Sequence, residues 1–126
     1  MNPAKSTKST KNTTQKGREA EKLACEFLQQ QGFEILETNF YTAFGEIDII
    51  AKKKKIWHFI EVKSGSGFEP IYNLTPAKLK HITQSIKIYL QTLPHTPKYC
   101  LSAMILSRND SSESYKIEFL ENLTIF

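Results

Sequence analysis

Apolar positions recur along the chain with two different periods. From Gly17 to about Gln31, the residues Ala20, Leu23, Ala24, Phe27 and Leu28 fall at helical spacing, and Gly32 follows as a stop. "FEILETNF" (33–40) alternates roughly and predicts a strand. "EIDIIA" (46–51) and "KIWHFIEVK" (55–63) are β-branched and aromatic, so they predict two more strands, with Lys52–Lys55 making the turn between them. "SGSGFEPIYN" (64–73) has the composition of a loop. Thr75 then suits an N-cap, Pro76 the first helical position, and Leu74 with Leu79 a hydrophobic staple. The stripe Leu79, Ile82, Ile86, Tyr89, Leu90 carries that helix to about residue 92. "YCLSAMIL" (99–106) is continuously apolar, as in a central strand covered on both faces. "SRNDSSES" (107–114) is a loop, and "YKIEFL" (115–120) a last strand.

The order α-β-β-β-α-β-β predicts an α/β domain, a mixed sheet flanked by helices. The helix between the third and fourth strands is long enough for a crossover, so those two strands can run parallel.

Composition narrows this little. The 126 residues suit one domain, and 40% hydrophobic with 24% charged content is ordinary for a globular protein. Charge is more informative by position. The net +4 comes from Lys5, Lys8, Lys11 and Lys16 in residues 1–16, a stretch with no acid, so residues 17–126 balance. That leader is Ser, Thr, Asn and Lys, with almost nothing to bury. It is expected to be a disordered basic tail preceding a domain at 17–126, either a solvated leader or an arm on phosphate. Cys25 and Cys100 are too few for a disulfide framework or a structural zinc site and are expected to be reduced packing residues. No apolar run reaches the ~20 residues of a membrane span, and no apolar stretch follows the N-terminal lysines. The expected compartment is the cytoplasm.

The anomaly lies in residues 45–63, where Glu46, Asp48, Glu61 and Lys63 interrupt two strands. Acids are depleted in strands and are rarely buried unless paired or metal-bound. If Lys53 and Lys54 form a two-residue turn, Asp48 lies across from Phe59 and Glu46 across from Glu61. All four charges then share a face, with Asp48 and Glu61 diagonal. Like charges 4 Å apart cost about 4 kcal/mol at an effective dielectric of ~20. A proton, Lys63 or a divalent cation offsets that, the cation most. Magnesium takes one or two carboxylates and fills its remaining positions with water and phosphate oxygens, and a nearby lysine can orient or deprotonate the attacking water. The chemistry favoured is phosphodiester hydrolysis. Each residue also has a plainer reading: Glu61 and Lys63 as a surface ion pair, Asp48 as an edge charge against aggregation, Glu21 as a solvated first-turn acid, and Lys52–Lys55 as a solvated turn. Trp57, Phe59 and Tyr89 read as core, and His58 as structural.

Asp48 followed by Glu61-Val62-Lys63 resembles the D…(D/E)-x-K signature of the restriction-endonuclease-like superfamily, and is similar to archaeal Holliday-junction resolvases. The "GREAE" helix, "ILETN", "GEIDII", "FIEVK" and a lysine-bearing second helix resemble the YraN-like family of small bacterial proteins from Gly17 to about Leu106. That resemblance implies a restriction-endonuclease-like fold and a Mg²⁺- or Mn²⁺-dependent nuclease acting on DNA, in branched or processed structures. Asp48 and Glu61 would hold the metal with the carbonyl of Val62, and Lys63 would activate water. Glu21 would be an outer ligand, and Lys78 would meet a phosphate, as Lys53 and Lys54 could at the hairpin tip. A homodimer suits a small nuclease that cuts two strands. Against the family pattern, the fourth strand carries no Asp and Gly65 follows Ser64. These departures favour the alternative, a non-catalytic nucleic-acid-binding or adaptor protein; a third reading is a plain interaction domain with a sheet-face salt bridge.

Overall fold

The computed structural model describes residues 15–66, 75–108 and 114–125. Within them the order is α1 (Gln15–Gln30), β1 (Glu34–Thr42), β2 (Gly45–Lys53), β3 (Ile56–Ser66), α2 (Pro76–Leu90), β4 (Lys98–Arg108) and β5 (Lys116–Ile125). The five strands form one sheet in the order β1-β2-β3-β4-β5. All neighbours are antiparallel except β3 and β4, which are joined through the α2 crossover and run parallel. The fold is therefore the expected α/β domain with a mixed sheet and two helices.

Each helix forms where its sequence signals lie. Around Gly32 the chain turns out of α1 at φ 93, a conformation that favours glycine. There the Phe33 N–H donates to Leu28 O at 2.9 Å and the Gly32 N–H to Gln29 O at 3.1 Å. At the start of α2 the Lys78 N–H donates to the Thr75 hydroxyl at 3.1 Å, and Pro76 takes the first position. Leu74 and the rest of the 67–74 segment lie outside the described residues, as do residues 1–14 of the basic leader.

The helices cover opposite faces of the sheet. Ala20, Ala24 and Leu28 of α1 pack with Phe33, Ile49, Ala51, Ile60, Met104 and Leu106. Ile86 and Tyr89 of α2 pack with Ile47, Ile50 and Phe59, flanked by Phe40, Trp57 and Tyr99. Tyr89 meets Phe40 and Phe59 edge-on, at ring separations of 5.0 and 5.8 Å. The aromatic residues Trp57, Phe59 and Tyr89 thus serve the core. Covered on both sides, β4 is buried from Cys100 to Leu106, which explains its unbroken apolar run.

The strands run further than the pattern predicts. β3 takes in Ser64–Ser66, expected as loop, because β4 pairs alongside it as far as Ser66–Arg108.

Candidate active site

The β2–β3 hairpin turns at Lys54–Lys55, one residue later than expected. Lys53 pairs with Ile56 and Ile50 with Phe59. Both turn lysines take positive φ, 51° and 68°, the conformation of a tight two-residue hairpin turn that normally selects Asn and Gly. The shift moves every observed pair of the hairpin by one residue on the turn side, from Lys53–Ile56 to Ile49–Ile60.

The pairing itself stops at Ile49–Ile60, short of Asp48 and Glu61. There the Val62 N–H donates to Asp48 Oδ2 at 2.8 Å. A carboxylate takes a β3 backbone donor as the ladder ends, and this fixes the Asp48 side chain, which is 5% exposed.

The alternation of β2 also changes phase here. Residues two apart on a regular strand share a face. Yet Ile47 packs on the α2 side and Ile49 on the α1 side. Asn39, between the Thr38–Ile49 and Phe40–Ile47 pairs of β1 and β2, has φ 53. Its amide Nδ2 donates to Glu46 Oε2 at 2.8 Å and to Glu21 Oε1 at 3.1 Å. Glu46 is thereby linked to Glu21 of α1 while it also lines the cleft with Asp48. Glu21 reaches the sheet through the same amide and is half-buried, not a fully solvated first-turn acid. The inventory of charged residues missed Asn39. Its signal was a residue type that tolerates positive φ, placed inside a strand.

Asp48, Glu61 and Glu46 line one cleft with Ile47, Phe59, Ile60, Ile82 and Leu101. The cleft has room for about one water-sized sphere. Lys63 Nζ lies 3.6 Å from Glu61 Oε2, and both side chains are partly open to solvent. Lys78 is exposed, one helical turn before Ile82. Lys53 and Lys54 are not brought to the cleft. They sit at the other end of β2, about 17 Å along the strand from Asp48, where Lys53 Nζ lies 5.3 Å from the centre of the Phe33 ring.

Two of these carboxylates, Asp48 and Glu61, match the donor set of magnesium, which takes one or two carboxylates and keeps waters elsewhere. Asp48 and Glu61 would hold it. Among the described residues no group of three or more His, Cys, Asp or Glu is arranged to hold a metal ion.

A second polar cluster escaped the sequence reading. His58 Nδ1 lies 3.0 Å from Ser102 Oγ and 3.3 Å from Cys100 Sγ, with all three residues buried. The Asn122 N–H donates to Ser102 Oγ at 3.4 Å. Phe33 meets the imidazole edge-on at 5.0 Å. Burial lowers the His58 pKa, reinforced by Lys53 and opposed by Glu121. Burial likewise raises the Cys100 thiol, partly offset by its hydrogen bonds. The cluster is a neutral thiol, imidazole and hydroxyl. Cys25 and Cys100 are both free thiols, as expected.

The protein is an α/β domain with an acidic cleft at the end of the β2–β3 hairpin and a lysine paired to one of its acids. The chain belongs to the UPF0102 family of uncharacterised proteins, whose profile matches residues 20–111. It is 51% identical over 114 residues to a UPF0102 protein of Helicobacter hepaticus, covering 90% of this chain and 98% of the relative. A Wolinella succinogenes UPF0102 protein is 48% identical over 110 residues, covering 87% and 96%. One from Helicobacter pylori is 50% identical over 109 residues, covering 86% and 90%. Among the described residues no helix is long and apolar enough to cross a membrane.

Proposed function

We propose that this UPF0102 protein is a cytoplasmic, divalent-metal-dependent nuclease with a restriction-endonuclease-like core, hydrolysing phosphodiester bonds in DNA. One observation carries the reading: Asp48 and Glu61 line the same cleft, and the Lys63 ammonium stands 3.6 Å from Glu61. Asp48 and Glu61 would hold Mg²⁺ or Mn²⁺, which would supply a lowered pKa for a water and polarisation of a phosphoryl oxygen. Lys63 orients the attacking water and places positive charge beside the phosphate. Asp48, held by the Val62 N–H, keeps its geometry without metal. Glu21 and Glu46, joined through Asn39, fix α1 against β2 beside the cleft. Lys78, exposed at the start of α2, meets a neighbouring phosphate. A homodimer would let two such sites act on two strands.

The test is cleavage of branched and linear DNA across a Mn²⁺ titration, with metal binding followed calorimetrically. Wild type is expected to bind Mn²⁺ and cut. Glu61→Gln should weaken metal binding, and Lys63→Ala should abolish cutting while the fold melts normally. The adaptor reading draws on the ion pair that already occupies Lys63, and it predicts DNA binding without cleavage under any divalent ion. Cutting that survives both Asp48→Asn and Lys63→Ala refutes the site.

A further inference from the structure

The β1–β2 connection ends in an aromatic side chain that the core does not use. Phe44 is 42% exposed, and among the described residues only Leu123 is a comparably exposed large hydrophobic residue. A single exposed apolar residue is ordinary. Its mounting is not. The Phe44 N–H donates to Thr42 Oγ1 at 3.0 Å, and the Thr42 hydroxyl donates to Gly45 O at 3.0 Å. Thr42 Oγ1 also lies 2.8 Å from Ser85 Oγ. With the Thr42 proton committed to Gly45, Ser85 is the donor there. Ser85 is 1% exposed in the middle of α2, so the tip is tied to a buried residue of a helix. Gly45 takes φ 140, and a Cβ built there would meet nothing within 4 Å, so the glycine serves the backbone turn and not a close contact. The result is a small, braced turn that holds a ring in water.

Its position is equally specific. Phe44 precedes Asp48 by four residues, about 13 Å along an extended chain. Ser85, Ile82 and Lys78 follow one stripe of α2 at helical spacing. Ser85 touches the braced tip, Ile82 lines the acidic cleft, and Lys78 lies a turn beyond. An aromatic face, an acidic cleft and an exposed cation therefore stand in a row along one helix.

Resting on the nuclease reading, we propose that Phe44 is a base-stacking wedge that selects nucleic acid with an unpaired or splayed nucleotide next to the scissile phosphate. Exposed aromatic rings stack on unstacked bases, and a rigid apolar side chain at a groove can occupy the gap where a base pair has opened. A continuous duplex keeps its bases stacked inside and offers the ring nothing comparable. A ring on a tied-down turn gives up little conformational freedom when it stacks, which is why the bracing matters.

The test needs no cleavage. Equilibrium binding in metal-free buffer compares a paired duplex with a forked duplex of the same length and charge. Wild type should favour the fork by about tenfold, the size of one stacking contact. Phe44→Ala should lose that preference and keep its duplex affinity. Phe44→Leu, which keeps apolar area without a π-face, should lose it too, whereas Phe44→Trp should retain it. Thermal melts of each variant should match wild type, since the ring lies outside the core. Wild type that binds fork and duplex equally, or Phe44→Ala that keeps the fork preference, overturns the wedge and leaves the nuclease reading standing. Wild type that binds neither DNA overturns the wedge, and the Mn²⁺ titration above decides the nuclease reading separately.

Discussion

The two ends of the β2–β3 hairpin obey opposite rules. At its closed end the ladder is complete from Lys53–Ile56 to Ile49–Ile60, and the buried polar side chain is His58, kept neutral and bonded to Ser102 and Cys100. At its open end the ladder stops, and a carboxylate takes a backbone donor. Carboxylates there line a cleft beside an ammonium instead of pairing inside the core. Both ends carry polar groups on β3 only three residues apart. Full enclosure by Phe33, Phe119 and the neighbouring strands makes charge too costly at His58. Glu61 and Lys63, by contrast, are partly open to solvent and lie 3.6 Å apart. The lesson is that polarity within a strand marks chemistry only where the ladder opens.

The widest test of this contrast is at the open end. Asp48→Asn and Asp48→Ala should each lower metal-dependent cleavage by about 10²- to 10⁴-fold, the usual scale for a directly participating group. They should differ in stability. Asn still offers an acceptor to the Val62 N–H, whereas Ala leaves that donor unanswered and costs about 1–3 kcal/mol in urea unfolding. Equal stability of the two would show that the Asp48 bond does not hold the hairpin.

Next in size is the closed end. Ser102→Ala removes the hydroxyl shared by His58 and the Asn122 N–H and should destabilise by about 1–3 kcal/mol with cleavage unchanged. A smaller gain is expected at the turn. Lys54→Asn with Lys55→Gly relieves two positive-φ lysines and should stabilise by about 1–2 kcal/mol, again without altering cleavage.

The smallest effect is a pH slope. Burial lowers the His58 pKa in the folded protein, so the unfolded chain binds the proton first as pH falls through the ordinary histidine value of about 6.5. Stability is then full above that value and declines below it, until the folded pKa is passed. His58→Phe should flatten this part of the urea-midpoint profile. A profile unchanged by the substitution would assign the slope to other groups.

Much of the fold could be read from residues whose meaning is local. Thr75-Pro76 and Gly32 set helix ends through bonds to their own neighbours, and the β4 run announced burial on both faces. Asp48 and Glu61 do line one cleft, but the ladder ends at Ile49–Ile60 and β2 changes phase beyond it, so parity counted from the turn does not by itself bring them together. Three features were not legible in the sequence. The turn falls on two lysines against their backbone preference, since the packing of Ile50 and Phe59 against α2 sets the register. The phase change at Asp48 depends on Asn39 adopting positive φ on a different strand. The His58–Cys100–Ser102 cluster requires the parallel alignment of His58 with Cys100, fixed only across the α2 crossover.

That crossover also orders events during folding. β1, β2 and β3 pair with sequence neighbours through short turns, whereas β4 can join β3 only after the intervening α2 segment has closed a long loop. Asp48 and Glu61 therefore belong to a meander of sequence-local pairings, whereas Ile82 and Leu101, which wall the same cleft, come from the crossover helix and the strand beyond it. In chain order, the acids precede the pocket that encloses them.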